Sequence, residues 1–70
     1  MPVQNRVRYY RFVRGEISQA DLAEKVGVSR QTIVAIEKGN YNPSVELALR
    51  LSTALGATVE ELFQLEEDEA

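Results

Sequence analysis

Seventy residues with eight Lys and Arg, eleven Asp and Glu, and neither His nor Cys amount to one domain at most, of net charge −3. Lacking Cys and His, the chain has no disulfide, no thiol chemistry, no usual zinc site and none of the commonest catalytic bases, so neither metal, nor cofactor, nor enzymatic activity is expected. No apolar run approaches the roughly 18 residues of a membrane span, and no signal-peptide core opens the chain, which points to a cytoplasmic protein.

Charge is segregated along the chain. Residues 1–43 carry seven cations against four anions, a balance of +3, whereas residues 44–70 carry Arg50 against seven anions, a balance of −6. The first part is suited to face an anionic partner and the second to face away from it. Glycines fall at 15, 27, 39 and 56, spaced as stops between short amphipathic segments.

The first predicted helix, about Arg6 to Arg14, puts Val7, Tyr10, Arg11 and Arg14 on one face. Ser18 is the N-cap of the second, about Gln19 to Val26, with Asp21 three residues on and Leu22, Ala23 and Val26 facing inward. Ser29 caps the third, about Arg30 to Lys38, which turns Ile33, Ile36 and Glu37 to one side. Pro43-Ser44 leads into the fourth, about Val45 to Leu55, and Thr58 with Glu61 opens the fifth, about Val59 to Phe63. The class is therefore all-α, a single domain over 1–70 with its core at about 6–63. The segment Phe63-Gln64-Leu65 is suited to a short strand pairing near Val3.

The stretch from Gln19 to Lys38, QADLAEKVGVSRQTIVAIEK, carries the functional signal. Two helices separated by Gly27-Val28-Ser29 must cross steeply, as in a helix-turn-helix. Ala23 is small where the helices pass closest, Gly27 supplies a positive φ, and Val28 plugs the gap. On that pattern alone an ordinary αα-hairpin fits equally well.

The run SQADLAEKVGVSRQTIVAIEKGNYNPSVELALRLSTALG resembles the lambda-repressor-like, Xre or Cro–cI-type DNA-binding domain, and the resemblance spans about Arg6 to Phe63. One departure is the RGEIS segment before the second helix, a residue longer than the family's RGLS-like spacing. The resemblance implies a five-helix domain that binds double-stranded DNA as a transcriptional regulator of repressor type. An antitoxin or anti-repressor, with the acidic tail on a basic partner, is the alternative.

With Ile33, Ile36 and Glu37 inward, Arg30, Gln31, Val34 and Ala35 are left outside to meet bases. Arg is suited to guanine, Gln to adenine and the methyls to thymine, although Val34 and Ala35 are also read as small exposed residues without a role. Gln19, Ser29, Thr32, Lys38, Asn40 and Asn42 are expected on phosphates. Asn40 and Asn42 have an equally simple explanation as turn formers. Arg11 is expected to pair with Glu37 across helices 1 and 3, in line with the resemblance.

On the fourth helix Val45, Leu47, Ala48, Leu51, Ala54 and Leu55 cover an arc wider than one core demands. That arc predicts a two-fold homodimer through Leu47, Ala54, Phe63 and Leu65, matching a palindromic operator, with no small-molecule ligand; the alternative is that the fifth helix alone covers the excess. The acidic tail, residues 66–70 with Glu66, Glu67, Asp68 and Glu69, is expected to stay off the DNA.

Overall fold

Hydroxyl side chains open four of the five helices, and they do so by accepting a hydrogen bond from the backbone amide three residues on. The computed structural model describes residues 3–66: β1 (Val3–Asn5), α1 (Val7–Val13), α2 (Gln19–Val26), α3 (Arg30–Glu37), α4 (Val45–Leu55), α5 (Val59–Leu62) and β2 (Phe63–Leu65). Ser18, Ser29, Ser44 and Thr58 are the caps of α2 to α5. Each satisfies an amide that the first helical turn leaves without a partner. At Thr58 the bond is reciprocated, since the Glu61 carboxylate accepts from the Thr58 amide at 2.8 Å and completes a capping box.

The helices enclose one apolar cluster. Val7, Leu22, Val26, Ile33, Ile36, Leu51, Leu55 and Leu62 are all at most 2% exposed, with Ala23 and Ala57 filling the closest approaches. Tyr10, Ile17, Val28, Ala54 and Phe63 pack around its rim. At the chain ends β1 and β2 pair antiparallel, with Val3 opposite Leu65 and Asn5 opposite Phe63. This small sheet closes the ring from the first described residues to the last, and the Arg6 amide donates to the Leu62 carbonyl at 2.8 Å beside it.

Several sequence expectations change at their edges. Arg6, Arg14 and Lys38 lie just outside their helices as caps, and Phe63 belongs to β2 rather than to α5. Leu47 requires a correction: at 7% exposure it sits in the core and has no surface to offer a second subunit. Within the wide apolar arc of α4, Leu47, Ala48, Leu51 and Leu55 are buried, with both α2 and α5 packed against the helix, whereas Val45 is 77% exposed. Of the other residues expected at a dimer contact, Ala54 and Phe63 are half-buried against the core, while Leu65 is 64% exposed. Of the acidic tail, Glu66 is exposed and accepts from Gln4 Nε2 at 3.3 Å, and Glu67, Asp68 and Glu69 lie outside the described residues.

The extra residue between α1 and α2 is absorbed by two successive positive φ angles, +108° at Gly15 and +56° at Glu16. Left-handed backbone costs a side-chain-bearing residue about 1 kcal/mol. The Glu16 amide still reaches the Phe12 carbonyl at 3.1 Å, and the Ile17 amide reaches the Arg11 carbonyl at 3.0 Å, so the longer loop is bonded back to the end of α1.

The capping box makes stability depend on pH. Hydrogen bonding from the Thr58 backbone amide, more than that from the Thr58 and Tyr10 hydroxyls, holds the Glu61 carboxyl below its ordinary value of 4.5. A depressed carboxyl contributes stability above its unfolded pKa and loses it as the pH falls through the lowered value. Melting curves of the wild type and Glu61→Gln should therefore differ at neutral pH and converge as the pH falls below 4.5 and through the lowered value. A gap that persists unchanged into acid would contradict the assignment.

Candidate nucleic-acid interface

The turn between α2 and α3 determines where the outer face of α3 points. Gly27 ends α2 in the left-handed region at φ +77°, its amide returning to the Ala23 and Glu24 carbonyls, and the Val28 amide also reaches Ala23, at 3.0 Å. A side chain here would be strained by that φ, and its Cβ would stand 3.3 Å from Arg50 Nη1. Ser29 then starts α3 at once, so the two helices cross within three residues. Ile33 and Ile36 anchor the inner side of α3, at 0% and 1% exposure.

On the outer side Arg30 and Gln31 are exposed in the first turn, and Lys38, Asn40 and Asn42 are exposed just beyond the last. Thr32, Val34 and Ala35 are half-buried rather than fully outside. The Ser29 hydroxyl accepts from the Thr32 amide at 3.2 Å and lies 3.0 Å from the Thr32 hydroxyl, so both are held at the N-terminus of α3. A helix N-terminus presents backbone N–H groups and a positive dipole end, and the starts of α2 and α3 both carry such groups.

Behind this face a single carboxylate joins three helices. Glu37 Oε2 accepts from Arg11 Nε at 2.7 Å, while Oε1 accepts from Arg11 Nη2 at 3.0 Å and from Gln19 Nε2 at 3.1 Å. The pair is largely withdrawn from water, the side chains being 16% and 8% exposed. Arg11 Nη1 also donates to the Ile17 carbonyl at 2.9 Å, which anchors the loop before α2. Gln19 Oε1 in turn accepts from Arg30 Nη2 at 3.3 Å. A phosphate-contact candidate and a base-contact candidate are thus hydrogen-bonded to each other, with the amide orientation of Gln19 dictated by Glu37.

Two residues of this region escaped the sequence reading. Asn5 Nδ2 donates to the Ile36 carbonyl at 2.7 Å and ties β1 to the end of α3. Tyr41, 47% exposed in the loop after Gly39, stands beside Gln31, Thr32 and Ala35. No periodicity marks a lone aromatic in a polar turn; only its size among Gly39, Asn40, Asn42 and Pro43 sets it apart. A larger open cleft, about 880 Å³, runs along α1 past Tyr9, Phe12 and Ile17. Its lining includes no residue of the outer face of α3. Among the described residues no group of acidic side chains is placed to hold a metal ion, and no helix is long and apolar enough to cross a membrane.

A buried-backed helix presenting Arg and Gln in its first turn, held steeply to its predecessor, defines a helix-turn-helix module of the kind that enters the DNA major groove. A helix-turn-helix family model matches residues 7–62. The chain is similar to an uncharacterised HTH-type transcriptional regulator of Methanocaldococcus jannaschii, 48% identical over 67 residues that cover 96% of this chain and all of that one. It is similar also to an uncharacterised HTH-type transcriptional regulator of Bacillus subtilis, 47% identical over 66 residues, covering 94% and 98%. Among solved structures it matches the restriction-modification controller protein C.AhdI of Aeromonas hydrophila, with a TM-score of 0.71 and 34% identity over 79% of this chain and 82% of that one. The chain belongs to the helix-turn-helix family, in its Xre or lambda-repressor-like branch. Its class is that of DNA-binding transcriptional regulators, which are not enzymes.

Removing Glu37 should leave a desolvated guanidinium without its counter-charge. Glu37→Ala is expected to cost about 3 kcal/mol in chemical denaturation, part of which is recovered when Arg11 is replaced by Leu in the same chain. A loss below about 1 kcal/mol, the scale of exposed ion pairs, would show that the pair carries no such weight.

Proposed function

We propose that this protein is a sequence-specific repressor that inserts α3 into the major groove of double-stranded DNA. Arg30, Gln31, Val34 and Ala35 face base edges, and Gln19, Ser29, Thr32, Lys38, Asn40 and Asn42 meet phosphates. The observation that carries this reading is the exposure of Arg30 and Gln31 in the first turn of a helix whose inner side is fully buried. The paired N–H donors of Arg recognise the guanine edge bidentately, and the donor and acceptor of the Gln amide recognise the adenine edge. The short side chains of Val34 and Ala35 leave room for a close approach to a thymine methyl.

The same reading has the protein act in the cytoplasm as a homodimer on a palindromic operator, repressing by occupancy. With Leu47 assigned to the core, Leu65 is the most exposed of the apolar candidates, and Ala54 and Phe63 contribute partial surfaces. The six-charge acidic excess of residues 44–70 supports a tail directed away from the phosphates.

Selection of bound sequences from random DNA tests the base assignments. Gln31→Ala should lose about 1–3 kcal/mol and relax preference at one base pair per half-site. Lys38→Ala should weaken all sequences alike and reduce the log–log salt slope by about one. If Gln31→Ala keeps the wild-type preference and affinity, α3 has been given the wrong face. Sedimentation equilibrium tests the assembly: a dimer mass that Leu65→Glu converts to a monomer is expected, and a wild-type monomer at tens of micromolar, as an order-of-magnitude scale for weak association, would contradict it.

A further inference from the structure

Tyr41 is the largest side chain beside the outer face of α3, yet it belongs to the loop and no base-reading or phosphate role has fallen to it. Two small clefts share Tyr41 and Thr32 in their linings. The front one, about 220 Å³, is bounded by Ser29, Gln31, Thr32 and Ala35. The rear one, about 300 Å³, runs back past Thr32 to Val28 and Arg50. Ala35 contributes only a methyl to the front cleft, too short to fill it. The front cleft is a notch whose apolar walls are the Tyr41 ring and the Ala35 methyl, with the Ser29 and Thr32 hydroxyls and the Gln31 amide as its polar ones.

Resting on the reading that α3 enters the major groove, we propose that this notch receives the C5-methyl of a thymine, and that Tyr41 is the residue that makes it selective. The methyl is the one part of a base edge in the major groove that asks for no hydrogen bond. It suits a recess walled by an aromatic ring and an alanine methyl, next to the Gln31 amide that pairs with a neighbouring base. Tyr41 thereby specifies thymine at the base pair adjacent to the one read by Gln31, from outside the recognition helix.

Uracil differs from thymine by this methyl alone, which gives a direct test. Each thymine of the operator selected by the wild type is replaced singly by deoxyuridine, and binding is measured for the wild type, Tyr41→Phe and Tyr41→Ala. At one position per half-site, beside the pair that Gln31→Ala relaxes, the wild type and Tyr41→Phe should each lose about fourfold in affinity, the worth of one buried methyl-sized group. Tyr41→Ala should bind the two operators equally well. All three proteins should melt at similar temperatures, since the ring is half-exposed and outside the core. Full uracil sensitivity in Tyr41→Ala, or none at any position in the wild type, overturns the assignment of the notch while leaving α3 as the reading helix. A wild type that selects no sequence at all, so that no operator exists to substitute, overturns the underlying reading and this one with it.

Discussion

The Glu37 carboxylate is the constraint on which the DNA-facing geometry depends. A carboxylate 8% exposed at the end of α3 is tolerable only because a guanidinium from α1 and an amide from α2 surround it. Desolvating an unpaired charge costs far more than such a small core can spare, so the three helices must keep the spacing that brings Arg11, Gln19 and Glu37 together. The same carboxylate settles which end of the Gln19 amide points towards Arg30. α3 is held at its C-terminal end by a charge network and at its N-terminal end by the Ser29 cap.

Much of this was legible in the sequence, for a physical reason that differs from element to element. Ser18, Ser29, Ser44 and Thr58 announce helix starts because capping is a contact within three residues, and local chemistry reads locally. The bounds of α2 and α4 follow from such caps together with the left-handed glycines that end each helix, Gly27 and Gly56. The pairing of β1 with β2 was accessible from the apolar residues at both chain ends. Leu47 was not: a period of apolar residues shows which side of α4 is buried, but not that both α2 and α5 pack against it. Tyr41 and Asn5 escaped because each acts through a single tertiary contact, which has no period and no spacing. Of the site residues, those exposed on α3 could be derived from Ile33 and Ile36 by elimination, whereas the hydrogen bond between Gln19 and Arg30 depends on how steeply two helices cross.

The distribution of charge complements this geometry. Arg30 and Lys38 lie on α3 or at its end, while the described acidic residues of the C-terminal part, Glu46, Glu60, Glu61 and Glu66, belong to α4, α5 and the segment after β2. Glu46 is paired with Arg50 one turn along α4, at 2.6 Å, and Glu61 with the start of its own helix. A net charge of −3 is thus compatible with nucleic-acid binding, because the field at a surface depends on where charges stand and not on their total. The longer loop before α2 leaves this arrangement intact, its extra residue taken up at Gly15 and Glu16 on the far side of the Arg11–Ile17 hydrogen bond.

The central claim is that one face of α3, with the flanking helix starts, is what touches DNA. Backbone amide NMR shifts followed during titration with the selected operator duplex test it most directly. The account predicts that the largest changes fall on Ser18–Gln19, on Ser29–Lys38 and on Asn40–Asn42, with α5 and β2 little affected apart from any dimer contact. Changes concentrated instead along Tyr9, Phe12 and Val13 of α1, with the α3 amides unmoved, would contradict it.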